Sequence, residues 1–505
     1  MAILDHSLIR AKELAPKEAY EPHPFRIMQF GEGNFIRAYF NWMIHQLNTT
    51  GEYRGRAVAV QPTPHGKKMS IFDRQDGSFT VMLKGYMNEK VIDESEVITS
   101  IGEGINPYED WERFLTFAAS EELQVITSNT TEAGLSYTYE RLEKDRACLS
   151  FPGKVTQLLY ARYQAFKGSK EGGLHILPLE LIDNNGSLLK EIILRKIHDW
   201  ELGGNFKNWV LNHQFFYNTL VDRIVTGYPK ENDEHYFHRL GYEDYLLTVA
   251  EPYHLLVIEG NDTIKDILPL HKVSGLNVQY GEVKAYSELK VRLLNAPHTM
   301  MFALAQFVGT TTVKQAMSND QLRQFIKEVM HSVIRPVLPQ TDEEKEAYIE
   351  GVIERFDNPY QHHQLSDLGL NGMQKFRSRV VPIWRKWKGE ETAAEHYLSL
   401  SLAALIYYFR PTEPDQESGT TVINGIAVPL REELSTMNFM YAEWNNVSQR
   451  KQTMQELVLN VMNNEQIWKE SMECVNPAVV ASYLTILCKE GGSAAIETLM
   501  KHTNK

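Results

Sequence analysis

The chain has 505 residues, 43% hydrophobic and 23% charged, which is core material for two or three globular domains. Lys plus Arg number 52 against 65 for Asp plus Glu, a net charge of −13. That balance excludes a general nucleic-acid or membrane-surface binder and leaves a small-molecule substrate, which needs only two or three local cations even if anionic. The cysteines, Cys148, Cys474 and Cys488, form no CxxC pair, so neither a disulfide framework nor a zinc knuckle is expected. The opening MAILDHSLIRAKELAPKEAYEP lacks the apolar run of a signal peptide, and Leu398 to Phe409 is too short to span a bilayer. A cytoplasmic protein is expected.

In chain order, FRIMQF (Phe25 to Phe30) reads as a buried strand. It runs into GEGNFIRAYFNWMIHQLN, where Phe35, Tyr39, Trp42, Met43 and Leu47 recur at helical spacing. RAVAVQP (Arg56 to Pro62) is a second strand, FTVMLKGY (Phe79 to Tyr86) is hairpin-like, and LQVITSN (Leu123 to Asn129) ends in the polar turn TTEAG. A helix from Lys154 to Phe166, a strand LHILPLEL (Leu174 to Leu181) and a helix from Ser187 to Trp200 continue the alternation. Strands alternating with helices imply βαβ units and a mostly parallel sheet. From about Tyr286 the pattern changes to period 3.6, as in DQLRQFIKEVMHSVIRPVL and AEHYLSLSLAALIYYF. The expected class is α/β, with an α/β N-terminal domain over residues 1–280 and a mostly α-helical C-terminal domain over residues 281–505. DNPYQHHQ (Asp357 to Gln364) and FRPTEPDQESGTT (Phe409 to Thr421) read as loops, and no motif is evident past about Gly419.

Gly31 and Gly33 stand where the first strand gives way to the first helix. A dinucleotide fold needs glycine there, because the turn is tight and the pyrophosphate approaches the backbone at the helix N-terminus. The third glycine of GxGxxG is replaced by Ile36, and the acidic residue expected after the second strand is absent, Gln61 and Pro62 occupying that end. Dinucleotide binding therefore stands beside a plain tight turn as alternatives. Ser128, Asn129 and Thr130 also fall at a strand's C-terminal end, where they would bond a ribose or a carboxamide, or else form an Asx or ST turn with Thr131 capping a following helix.

LKVRLLNAPHTMMFALA sets Lys290, Asn295 and His298 in an apolar stretch. Asn295 and His298, three apart, share a helical face. Lys290 lies five residues before Asn295, about 140° round an ideal α-helix, so the three converge only toward a cleft. Such a trio suits hydride chemistry at a carbon bearing oxygen: a desolvated lysine exchanges the hydroxyl proton, while an amide NH₂ and an imidazole N–H hold the oxygen as it gains charge. The bland alternative is a solvated lysine with two polar residues satisfied at a helix contact. Pro297 must either start or kink a helix. Asp222 and Arg223 in VDRIV read as an internal ion pair. His362 and His363 precede NGMQKFRSR, whose Lys375, Arg377 and Arg379 either meet a carboxylate or form a solvated face. The histidines show no metal-ligand spacing, so no metal is inferred.

FGEGNFIRAYF, TSNTTEAG, LELIDNNG, FFYNTLVDRIVTGYP and KVRLLNAPH occur in the order found in the polyol-specific long-chain dehydrogenases, and the chain resembles this mannitol dehydrogenase family from about Phe25 to beyond Arg379. The Lys-x4-Asn-x2-His pattern of Lys290, Asn295 and His298 matches its catalytic signature. The resemblance implies an NAD-binding Rossmann-like N-terminal domain, a helical C-terminal domain, an active site between them and no catalytic metal. It implies Lys290 as general acid for ketone reduction, with Asn295 and His298 polarising the substrate oxygen. NAD is then expected along Phe30, Gly31, Gly33, Asn34, Phe35, Gln61, Ser128, Asn129 and Thr130, and a sugar substrate at Asp222, Arg223, Asn184 and Lys375.

Departures from the family pattern narrow the substrate. Mannitol-type members carry Cys-Asp-Asn or Cys-Glu-Asn where this chain has Leu179, Glu180 and Leu181, so either Asn184 or Asn185 replaces the lost amide or the substrate is held differently. An arginine expected eight residues before Lys375 is Asp367. Both changes disfavour mannitol itself and fit a subfamily with another substrate; were that a sugar acid, its carboxylate would meet Arg223, Lys375 or Arg377. NAD rather than NADP is a family inference, since Lys67 and Lys68 near Gln61 offer cations to a 2′-phosphate.

Overall fold

The computed structural model describes all residues except 67, 361–362, 388–391, 413–418 and 504–505. It comprises two compact units, residues 1–84 with 91–286 and residues 85–90 with 287–505.

The first unit is built on a six-stranded, wholly parallel sheet in the order Ile101–Ile105, Arg56–Val60, Phe25–Phe30, Val125–Ser128, Leu174–Pro178, Gln214–Phe216. Its strands are near-continuous apolar runs because both faces are covered. Ile27, Ala57 and Val125 enter one core, while their neighbours Met28, Val58 and Ile126 enter another on the opposite face. Strand order reverses at Phe25–Phe30, whose sequence-successor lies on one side and Val125–Ser128 on the other. The crevice beyond its C-terminal end is therefore the switch point where open α/β sheets bind ligands. Two smaller mixed sheets follow, one of four strands including Phe79–Met87 and Lys90–Ile98, which belong to this unit outside residues 85–90, and one of three ending in Asn218–Asp222.

The expected helices appear at Phe151–Ala165 and Asn185–Asp199, each beginning earlier than periodicity indicates. Ser150 sets the first start by accepting the Gly153 amide. No helix follows Thr131: residues 129–150 form an irregular connection, in which Thr131 instead closes a turn onto Gly134.

The second unit is helical. Its central helix, Ala393–Tyr408, is buried nearly all round and packs against Ala296–Val308 and Pro477–Glu490. Past Gly419 there is a feature that the sequence reading did not anticipate, an antiparallel hairpin of Gly419–Ile423 and Ile426–Leu430 turning at Asn424 and Gly425, both with positive φ. The two anticipated loops include residues 361–362 and 413–418, which lie outside the described residues, as do Lys67 and His362. No described helix is long and apolar enough to cross a membrane.

Candidate functional site

In the first unit, Gly31 has φ +123° and its amide donates to the Val60 carbonyl (3.1 Å). A Cβ there would come within 2.8 Å of the Asn129 carbonyl oxygen, so the turn closes only with glycine. A Cβ on Gly33 would meet nothing within 4 Å. Open space thus lies against the Gly33 backbone, at the start of the continuous helical run from Asn34 to Thr49. Exposed backbone amides at a helix N-terminus beside open space fit a diphosphate, and with it a dinucleotide.

Helix and strand make contact here without a third glycine. Residues Arg37–Asn41 are wound as a π-turn, and Ile36 and Asn41 are fully buried. Asn41 donates to Gln29 Oε1 (2.6 Å), and Gln29 donates to the Gly31 carbonyl (3.0 Å), so the turn is held from beneath. From the other side Arg37, wholly buried, donates to the Glu32 carbonyl, Asn34 Oδ1, the Leu246 carbonyl and Thr248 Oγ1. Burial pushes its pKa down to about 10, against the pull of Asp244 and Glu32. Sequence reasoning missed Gln29, Arg37 and Asn41; the signal was three hydrogen-bonding side chains in otherwise apolar segments.

Phe30 is buried between Phe114 and Phe151, and Phe35 stacks on Tyr39 (4.9 Å). Gln61 is buried with its amide turned into its own loop, donating to the Thr63 carbonyl (2.8 Å). Burial lowers the Lys68 pKa, Arg37 adds to that effect and Glu32 opposes it. Ser128 Oγ donates to Glu180 (3.0 Å), as do the Thr130 amide (2.8 Å) and hydroxyl (3.0 Å), and Asn129 Nδ2 donates to the Leu179 carbonyl (3.0 Å). Glu180, 2% exposed, is thus the organiser of this strand end, and burial raises its pKa. Leu181 is 61% exposed. Asn185 is fully buried in bonds to the Pro178 and Glu180 carbonyls and to Thr219, which leaves Asn184, exposed at φ +55°, as the accessible amide.

Asp222 ends its strand buried, and Tyr39 is hydrogen-bonded to its backbone and to the Leu255 carbonyl. Arg223 does not form the expected ion pair with Asp222. Its nitrogens go to the carbonyls of Glu251 (2.8 Å) and Ala38 (2.7 Å), and the guanidinium lies over Trp42. Buried in this way, Arg223 braces the unit's interior.

In the second unit, Lys290–Asn295 is π-helical, with the Ala296 amide closing onto Val291 five residues back. This corrects the 140° separation expected of an α-helix: i→i+5 closure stacks residue 295 nearly over residue 290, so Lys290 and Asn295 share a face. Pro297 resolves as a helix starter in the first turn of Ala296–Val308. Lys290 and Asn295 are half-buried, and His298 is 7% exposed against Phe356 and His363.

Burial, with His363, Arg355 and Arg379 nearby, holds the His298 pKa well below its usual value. Its Nε2 is buried and has no hydrogen-bond partner among the described residues. That leaves one ring nitrogen whose donor or acceptor capacity is unmet, according to the tautomer.

Lys375, half-buried, donates to the Leu368 carbonyl (3.2 Å), and its pKa is lowered by burial first. Arg377 turns away to the Ile467 carbonyl (2.8 Å), and Asp367 pairs with Arg431.

Residues 25–272 match the model of the mannitol dehydrogenase Rossmann domain, and residues 282–487 that of the mannitol dehydrogenase C-terminal domain. An altronate oxidoreductase of Halalkalibacterium halodurans is 39% identical over 99% of this chain and 98% of its own. That of Bacillus subtilis is 34% identical over 95% of this chain and 96% of its own. Among solved structures, a D-sorbitol dehydrogenase in substrate-free form has a TM-score of 0.74 at 20% identity, over 98% of this chain and 100% of its own. The Pseudomonas fluorescens mannitol 2-dehydrogenase, in ternary complex with NAD and D-mannitol, has a TM-score of 0.64 at 19% identity, over 99% of both chains. At those identities the two structures support the fold.

Proposed function

The chain belongs to the mannitol dehydrogenase family of NAD-dependent oxidoreductases, and on that premise we propose that it reduces D-tagaturonate reversibly to D-altronate in the cytoplasm. The observation that carries the substrate reading is near-full-length similarity to altronate oxidoreductases, at 34–39% identity. ELIDNNG, SNTTEAG and LVDRIVTGYP are the segments that look most like those enzymes.

The glycine turn would hold NADH, which would supply the hydride that the ketone carbon takes. The amides at Gly33 and Asn34 would receive its diphosphate, and Ser128, Asn129 and Thr130, held by Glu180 and Leu179, would bond its ribose or carboxamide. Lys290 Nζ gives the proton to the oxygen as charge develops there, and the Asn295 amide donates to the same oxygen. His298, whose Nε2 lacks a partner among the described residues, is the further ring nitrogen for a substrate oxygen or hydroxyl beside the lysine. Asp222 in the first unit and Lys375 in the second are each further candidates for a sugar hydroxyl.

NADH oxidation with D-tagaturonate, D-fructuronate and D-fructose side by side tests this assignment. Clear preference for tagaturonate supports it. Preference for either other ketose retains the hydride chemistry and overturns the substrate, and silence on all three with NADH bound would turn the reading toward a nucleotide sensor.

A further inference from the structure

A sugar acid differs from a polyol by one carboxylate, and the second unit holds a cation with no ion-pair partner among the described residues that suits it. Arg379 ends the helix Gly372–Arg379, and that helix end is fixed by Arg292, which donates to the Ser378 (2.9 Å) and Arg379 (2.7 Å) carbonyls. The half-buried Arg379 guanidinium makes one hydrogen bond among the described residues, through NH1 to Thr299 Oγ1 (3.2 Å). Thr299 Oγ1 in turn donates to the Asn295 carbonyl (2.9 Å). A two-bond tether thus ties the guanidinium to the turn that carries Lys290, Asn295 and His298.

The surroundings are cationic. Arg355 and Arg379 both bear on His298, His363 stands 5.1 Å from its ring, and Lys375 lies one turn before Arg379 on the same helix. The nearby acids are engaged: Asp367 pairs with Arg431, and Glu432 accepts the Met373 amide (3.0 Å). No described carboxylate forms an ion pair with Arg379, and burial alone accounts for its lowered pKa. A half-buried guanidinium that, among the described residues, leaves four of its five N–H groups unused and has no counter-ion is costly until an anion arrives, and its planar fork matches a carboxylate.

We propose that Arg379, held in place by Thr299, is the residue that receives the substrate carboxylate and selects sugar acids over neutral polyols. This rests on the sugar-acid reading above. Of the cations expected from sequence, Arg223 and Arg377 are engaged with backbone carbonyls, and Lys375 stands beside Arg379 as an auxiliary charge.

The test compares wild type with Arg379→Gln, Arg379→Lys and Thr299→Val in two assays. One is steady-state turnover of D-tagaturonate by NADH; the other is calorimetric titration of D-altronate and neutral D-altritol with NAD present. Arg379→Gln is expected to raise the tagaturonate KM and the altronate Kd about 10- to 100-fold, with kcat changed less than about 3-fold and altritol affinity unchanged. Arg379→Lys should recover part of the loss. Thr299→Val, which keeps the arginine, should weaken altronate binding by about 3- to 10-fold and serves if Arg379→Gln does not fold. Equal weakening of altronate and altritol, or no change in either, would overturn the proposal. A wild type that neither turns over tagaturonate nor prefers altronate to altritol would overturn the sugar-acid reading itself, a pattern visible without any variant.

Discussion

Asn41 and Gln29 meet at 2.6 Å through Nδ2 and Oε1, both fully buried, and Gln29 passes the connection to the Gly31 carbonyl. Where a dinucleotide fold commonly lets helix touch strand at a third glycine, this chain joins them through two amides and a π-turn.

Asn41→Leu would leave the Gln29 acceptor unmet and cost about 1–3 kcal/mol of stability. NADH affinity should fall about 10-fold, because the Gly31 carbonyl loses its brace. Adding Gln29→Leu should restore part of the stability by making the pair apolar, without restoring NADH affinity. Urea denaturation and fluorescence titration check both, and recovery of NADH binding in the double variant would refute the brace.

Glu180 gathers the donors of Ser128 and Thr130. Glu180→Gln keeps the shape and some acceptor capacity, so the NADH KM should rise only several-fold, whereas Glu180→Leu should lose about 1–3 kcal/mol of NADH binding, roughly 10- to 100-fold. Equal KM values in the two variants would show that the strand end does not depend on this carboxylate.

Three histidines of the first unit make it sensitive to acid. His254 Nε2 accepts the Asn277 amide (2.9 Å), and His45 Nδ1 accepts the Thr99 amide (3.2 Å), so protonation would break both contacts. Burial first holds His45, His175 and His254 down to about 4, from an ordinary 6.5. A folded-state pKa below the unfolded one means that the unfolded chain binds more protons. Their contribution is therefore full above pH 6.5 and is lost as pH falls toward 4. His254→Gln, which can accept from Asn277 and donate to Pro252, should show a smaller drop in urea midpoint over that window; parallel curves would contradict the assignment.

Much of this molecule is legible in its sequence, and the misses have identifiable causes. The runs FRIMQF, RAVAV and LHILP announce a doubly covered parallel sheet because covered strands are apolar throughout. Gly31 is legible because only glycine tolerates its φ beside Asn129. The π-turns at Arg37–Asn41 and Lys290–Asn295 are not, since one widened turn barely disturbs a 3.6-residue period; yet the second is what places Lys290 over Asn295. The hairpin at Gly419–Leu430 carried a readable sign, Asn424-Gly425 between alternating residues, that the surrounding helical pattern overshadowed. The difference between Arg377, turned to Ile467, and Arg379, turned to Thr299, depends on helix packing that no local pattern encodes.

The most direct measurement is the turnover of Lys290→Ala with D-tagaturonate and NADH, alongside NADH binding to the same variant. Lys290 as the proton donor predicts kcat lower by about 10²- to 10⁴-fold with NADH affinity within about 2-fold of wild type. Near-normal kcat in a folded, NADH-binding Lys290→Ala protein would contradict the mechanism.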